Sequence, residues 1–405
     1  MKKITLLAAT VVASTMLFAC GSKETSMSDS KDSLNLKLWV DPGSAEFYSK
    51  LVDQYKEENN IKYTIEVVES DTGKAQENIK KDPEAAADVF SMPHDQLGQL
   101  VEAGVVYENT KYADRISEEN TELAVQAATY KGKMYGYPYG VESLMLYYDK
   151  TKLTENDIQT FETLTAKAKF GGNFEEDGAA YFLAPLFVSN DCYLYGEDGE
   201  DPSGTTFNTE QGVNVLKWIA AQGKNDNVVQ ANADLLSQLE EGKIAAVVSG
   251  PWGYKNIKEI LGDRFAVAQY PKTNFGNGEK QMKPFLGVKL YSVNASTAHP
   301  LEAMALANFL SSTEAQKKTF NDLGTIPSNL SLQHSKEVLA DPMASVVVTT
   351  SLPENSVLMP KIPEMVTFWP ASLATISDAY KGNLSESDMK SKLDQLVKDT
   401  SVVAK

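Results

Sequence analysis

Leu34-Asn35-Leu36-Lys37-Leu38-Trp39-Val40 is the stretch on which the reading of this chain turns. Apolar side chains alternate there with Asn35 and Lys37, the period of a half-buried strand. Beyond Asp41-Pro42-Gly43 the period changes. Phe47, Leu51 and Tyr55 recur at four-residue spacing, which predicts a helix over 44–57. Ile61 to Val68 reads as a second strand, Ala87 to Phe90 as a short third, and Gln96 to Val101 as helix. Strand and helix alternate, so the fold class is α/β with a largely parallel sheet.

The same rules carry along the chain. The rhythm changes around Tyr137-Pro138, and Val141 to Tyr148 reads as one long apolar strand. Asn208, with Gln211 following, is expected to cap a helix whose core face carries Leu216, Ile219 and Ala220. Ile244 to Ser249 is a buried strand stopped by Gly250-Pro251, and Pro284 to Val293 is another. Pro300 opens a helix bearing Leu301, Met304, Ala305 and Leu310. Ser311 with Glu314, or Thr313 with Gln316, caps the next. From Ser372 onward the pattern is helical, and no internal repeat is present. Trp39 lies inside a strand and is assigned to the core. Tyr147-Tyr148 resembles the adjacent tyrosines of ferric-ion binders, but its apolar strand also places it in the core.

The chain begins Met1-Lys2-Lys3, continues with an apolar run from Ile4 to Phe18, and reaches Leu17-Phe18-Ala19-Cys20-Gly21. Two lysines, an apolar run too short to span a bilayer and a small residue before the cut make a secretory signal over 1–19. The cysteine directly after it resembles the lipobox of bacterial lipoproteins, which implies cleavage before Cys20 and diacylglycerol on its thiol. The polar stretch over 20–33 then reads as a tether holding a protein at the outer face of the cell membrane. At 405 residues and 42% hydrophobic composition the chain can bury two domain cores. Loss of Lys2 and Lys3 with the signal takes the formal charge from −17 to −19. That balance argues against nucleic acid and against electrostatic docking on anionic lipid, leaving the anchor to the acyl chains. With Cys20 acylated, Cys192 is the one remaining thiol, so no disulfide framework forms within the chain.

Four segments resemble the extracytoplasmic maltose/maltodextrin-binding proteins of ABC importers. They are Ala87-Asp88-Val89-Phe90 with Pro93-His94-Asp95; Tyr130 to Pro138 with Gly140-Val141-Glu142-Ser143-Leu144 and Tyr148-Asp149-Lys150; Gly242-Lys243 through Gly250-Pro251-Trp252, then Pro284-Phe285-Leu286-Gly287-Val288; and Met359-Pro360-Lys361-Ile362-Pro363-Glu364-Met365 with Phe368-Trp369. Their order and spacing agree along nearly the whole mature chain. The resemblance implies the type II periplasmic-binding-protein fold, two α/β lobes with a hinge and an interlobe ligand cleft. The crossovers are expected near Gly140, near Phe285 to Val288, and after Gly324-Thr325-Ile326-Pro327-Ser328. The lobes would then be 34–140 with 288–331, and 141–287 with 332–405.

A glucose ring has an apolar C–H face and an edge of hydroxyls, so a sugar site pairs aromatic planes with carboxylates. The family's match supplies Asp95, Glu142, Tyr181, Phe182, Trp252, Met359 and Trp369. Asp95 also reads as a helix N-cap, Glu142 as an exposed strand start, and the two tryptophans as core. The chain departs from the family at Met92, where well-known members carry tryptophan, and at Gln96, where arginine is expected. Pro370 replaces a tyrosine and Leu373 an arginine, and the loop Asp41 to Glu46 lacks an expected Asp-Lys pair. Ser44 and Glu46 are the candidate replacements in that loop, and Met92 and Gln96 remain candidate contacts.

His94, His299 and His334 have no metal-ligand spacing, and neither a P-loop nor a G-x-S-x-G sequence is present. The expectation is a monomeric maltodextrin receptor without cofactor, metal or catalytic residues, docking on ABC permease subunits. The alternatives are a receptor for another oligosaccharide or a peptide, and a surface glycosidase built on a carboxylate pair such as Asp95 and Glu142.

Overall fold

The computed structural model describes residues 34–402. The signal, Cys20 and the tether lie outside the described residues.

β1 (Asn35–Val40) pairs in parallel with β2 (Thr64–Glu69) along its length and with β3 (Val89–Pro93) at Leu38 and Trp39. The helix Ala45–Glu58 returns the chain between β1 and β2, burying Tyr48, Leu51, Val52 and Tyr55 as the spacing predicts. Burial along β1 alternates, with Leu36, Leu38 and Val40 buried. Trp39 falls on the other phase and is only half-buried, which corrects its assignment to the core. A small hairpin, β4 (Thr129–Tyr130) and β5 (Lys133–Met134), precedes β6 (Gly136–Ser143).

The continuous apolar run after Tyr139 is not one strand. β6 pairs with the first sheet through Ser143, Leu144 intervenes, and β7 (Met145–Asp149) belongs to a second sheet. Both halves are buried almost throughout, so the apolar pattern carries no mark of the change. The second sheet has the order β11-β7-β10-β8-β9, built from β8 (Phe170–Gly172), β9 (Val228–Gln230), β10 (Ala246–Ser249) and β11 (Phe265–Ala268). β7 runs antiparallel to both β10 and β11, while β8, β9 and β10 are parallel. Tyr147 and Tyr148 are buried there, and the Tyr147 hydroxyl donates to the Gly250 carbonyl at 3.0 Å.

After a second hairpin, β12 (Lys272–Asn274) and β13 (Glu279–Gln281), the chain returns in β14 (Phe285–Val293). β14 is the backbone of the first sheet. It runs antiparallel to β3 and β6 and parallel to the short β15 (Val357–Leu358), giving the order β15-β14-β3-β1-β2 with β6 also on β14. The pairing with β6 slips between Lys289 and Leu290, a bulge that re-aims the side chains beside it.

Helix ends differ from expectation in two places. The helix Glu210–Gln222 is preceded by Thr209, and Asn208 instead donates to Asp394 at 2.8 Å. The helix Thr313–Leu323 is capped by Ser312, whose side chain accepts from the Ala315 N–H. Pro300 does open its helix, Pro300–Leu310. The C-terminal helix Met365–Tyr380 contains Pro370 and packs on Ala179–Leu183, Glu210–Gln222 and Glu386–Thr400. Cys192 is buried and free. Among the described residues no helix is long and apolar enough to cross a membrane.

Candidate ligand cleft

A cleft of about 460 Å³ is lined by Asp95, Asp177, Tyr181, Met359, Trp369 and Leu373, among others. Asp95 and Met359 come from segments bonded to the first sheet, and Tyr181 and Trp369 from two helices, Ala179–Leu183 and Met365–Tyr380, that pack on each other.

β3 ends at Pro93, and one 3-10 turn, His94–Gln96, leads into the helix Leu97–Glu102. No side chain caps that helix, so Asp95 is free of the N-cap role. Its Oδ1 is shut off from solvent and has no hydrogen-bond partner among the described residues. Burial pushes the carboxyl up to about 6; its own backbone N–H works the other way, and the charge of Glu142 adds to the rise.

Glu142 lies on β6 opposite Gly287 of β14. A Cβ on Gly287 would stand 3.0 Å from Glu142 Cγ, so the bare glycine leaves room for the glutamate stem. Lys289 places its ammonium 3.5 Å from Glu142 Oε2 and 3.8 Å from Asp41 Oδ2. Burial opposes its charge, but Glu142 and Asp41 together hold it above the usual lysine range.

The aromatic wall centres on Tyr181, carried by the short helix Ala179–Leu183, which the chain enters through Gly178 at φ 85°. Its ring centroid lies 6.4 Å from Trp369, 6.5 Å from Trp252 and 5.9 Å from Phe285. Burial, then the charges of Glu142 and Asp95, push the pKa of its hydroxyl well above the usual tyrosine range, keeping it protonated. Trp252 stands on the turn Pro251–Gly253 that follows β10 and is 57% exposed, which rules out a core role. Its ring covers Gly250, where a Cβ would come within 2.2 Å of it. Trp369 is half-buried, with Phe368 beside it turned into the core.

The remaining candidates lie elsewhere. Phe182 lines a separate small apolar cavity with Phe161, Phe170 and Trp218. Met92 is buried within β3, opposite Leu290. Gln96 spends its amide on the backbone of Thr72, Gly73 and Gln76, tying down the turn before the helix Ala75–Lys81. Ser44 is buried and donates to the Asp41 carbonyl. Glu46 is exposed and pairs with Lys50 at 2.7 Å. Pro370 and Leu373 do line the cleft, so the two departures replace polar or aromatic surface with aliphatic surface at the ligand wall.

Two side chains escaped the sequence reading. Lys289 had a signal, being the one charge inside the buried strand β14. Asp177 had none, because it sits in the acidic run Glu175-Glu176-Asp177 and only the fold brings it to the cleft. Among the described residues no group of histidine, cysteine, aspartate and glutamate is arranged to hold a metal ion.

A family model for bacterial extracellular solute-binding proteins matches residues 50–345. The chain belongs to that family. This solute-binding protein is 37% identical to a solved maltodextrin-binding protein of L. casei BL23, without ligand, with a TM-score of 0.88 over 92% of this chain and 100% of that one. It therefore has the two-lobed type II fold, with the ligand cleft between lobes joined by crossing strands. It is 28% identical to a galactooligosaccharide-binding protein of Bacillus subtilis, over 97% of this chain and 95% of the relative. It is 26% identical to a maltooligosaccharide ABC transporter solute-binding lipoprotein of Streptococcus pneumoniae, over 99% of this chain and 97% of the relative.

Proposed function

We propose that this solute-binding protein captures linear α-1,4-glucose oligosaccharides outside the cell and delivers them to a membrane ABC importer. The observation that carries this reading is the partnerless Oδ1 of Asp95, set in a cleft with Tyr181 and Trp369 as its aromatic walls. A buried carboxylate oxygen without a donor costs stability unless a ligand supplies the donor, and a sugar hydroxyl does so while its ring face packs on the aromatics. Glu142 and Trp252 extend the set, and Met359 adds a flexible apolar contact. The names of the L. casei and S. pneumoniae relatives support the glucose series.

The protein binds without catalysing. Closure is favoured only by contacts that the ligand makes better in the closed form. Cys20, diacylated after removal of the signal, holds the monomer at the outer face of the membrane, as the lipoprotein relative supports. Closed, loaded receptor docks on the permease subunits.

The B. subtilis relative favours a second reading, a receptor for galactooligosaccharides. Titration calorimetry with maltose, maltotriose, maltotetraose and a galactotetraose separates the two. The first reading requires the gluco-oligomers to bind and remain intact by chromatography after prolonged incubation. Binding of galactotetraose alone, or release of glucose, overturns it.

A further inference from the structure

His94 is the one buried histidine among the described residues, and nothing in the ligand reading uses it. Its ring lies where three segments meet, two of which line the cleft. Nδ1 accepts the Val288 N–H of β14 at 3.0 Å, and Nε2 lies 2.8 Å from the Met359 carbonyl oxygen, just past β15. A backbone N–H can only donate and a carbonyl can only accept, so the ring is neutral with its proton on Nε2. Burial and the Lys361 charge favour the same neutral state.

Each tether leads to a ligand-facing side chain. Asp95 follows His94 on a three-residue turn, and with Oδ1 unpartnered its placement depends on the backbone. Val288 follows Gly287, on which the Glu142 side chain rests. Met359 lines the cleft itself and opens the segment leading to Trp369. The Gly98 N–H, donating to the Lys361 carbonyl at 3.1 Å, repeats the attachment of that segment to the same turn.

We propose that His94 is a positioning residue for the ligand, its neutral imidazole holding Asp95, the strand behind Glu142 and the Met359 segment in one register. An apolar ring or chain of similar size would fill the space but release both backbone groups. Carboxylates and apolar walls recruited from three separate segments need a common anchor, because displacement on the order of 1 Å is enough to spoil a preorganised site.

The inference rests on the sugar reading above for its affinity arm only. His94→Leu and His94→Gln are compared with the wild type by calorimetry with maltotetraose and by amide hydrogen exchange without ligand. His94→Leu should weaken binding roughly tenfold or more while unfolding stays cooperative. Gln can donate to Met359 and accept from Val288, and should recover affinity to within about threefold of wild type. Exchange in His94→Leu should quicken at Val288 and in 357–362 ahead of the other strands. Near-normal affinity of folded His94→Leu would reduce His94 to a packing residue. If that variant does not fold, His94→Asn, whose shorter amide reaches one partner, replaces it, and equal affinity of the Asn and Gln variants overturns the proposal. If the wild type ignores maltotetraose the sugar reading falls, and unchanged exchange at Val288 would then still refute the role of His94.

Discussion

Lys289 and Glu142, on neighbouring antiparallel strands of the first sheet, bring an ammonium and a carboxylate to 3.5 Å. Asp41, from the loop after β1, flanks the same ammonium at 3.8 Å. That loop carries no lysine beside its aspartate, and Gln96 stands where an arginine is expected; the cation comes instead from a strand far along the chain. Both contacts are long for hydrogen bonds, so the ammonium keeps donor capacity. A sugar hydroxyl can accept from it and donate to a carboxylate at once.

Lys289→Met should therefore act on binding more than on folding. The side chains of the cluster are partly exposed, at 29% for Lys289 and 28% for Glu142, so loss of the pair should cost about 1 kcal/mol of stability. Affinity for maltotetraose should fall roughly tenfold by calorimetry, the worth of one charge-assisted hydrogen bond. An unchanged affinity would confine Lys289 to a structural ion pair.

Asp95→Asn should stabilise the ligand-free protein at neutral pH while weakening sugar binding. The folded carboxyl, pushed up to about 6 from 3.8, keeps its proton over a range where the unfolded one has lost it. Its contribution to stability is therefore present at low pH and is lost as pH rises from about 4 through 6. Asparagine avoids that loss, so the variant should gain up to about 3 kcal/mol at pH 7, and the gain should vanish near pH 4. His94, depressed to about 3, is common to both proteins and cancels in the difference. Thermal melts across this pH range decide it: a variant less stable than wild type at pH 7 would mean that Asp95 is already paired.

On the proposed anchoring through Cys20, Cys20→Ala should release the protein from membranes without altering maltotetraose affinity, because the polar stretch 22–33 stands in the sequence between Cys20 and β1. Fractionation and calorimetry on the two forms test this, and a large loss of affinity would tie the lipidated end to the cleft.

The fold was legible where burial alternates or where glycine and proline punctuate it. β1, its returning helix, β10 before Gly250-Pro251 and the Pro300 helix all stand where the pattern puts them. The passage from β6 to β7 was not, since strands buried on both faces read as one apolar run whichever sheet they join. At the cleft, Asp95, Tyr181, Met359 and Trp369 are brought together by the fold. Phe182, directly beside Tyr181, faces another cavity because successive residues on a helix point to different sides. Asp177 reaches the cleft through loop geometry that no local pattern records, whereas Lys289 stands out as the lone charge of β14, although its pairing with Glu142 is set only by the register of the two strands.

Trp252, Trp369 and Phe182 separate affinity from stability in one set of variants. Trp252 is 57% exposed, so Trp252→Ala should leave the melting temperature nearly unchanged. Trp369 packs edge-on against Phe285 at 5.9 Å and against Phe368 at 5.5 Å, so its truncation should cost about 1–2 kcal/mol. Each tryptophan should nonetheless lower maltotetraose affinity by roughly a factor of ten, since stacking a sugar face on an aromatic ring is worth on the order of 1 kcal/mol or more. Phe182→Ala should do the reverse, destabilising the fold by about 2 kcal/mol or more with affinity within a few-fold of wild type. Native tryptophan emission gives a parallel readout: maltotetraose should change it in wild type, and the change should shrink in both tryptophan variants but persist in Phe182→Ala. A steep drop in melting temperature with normal affinity in either tryptophan variant would move that ring from the cleft to the core.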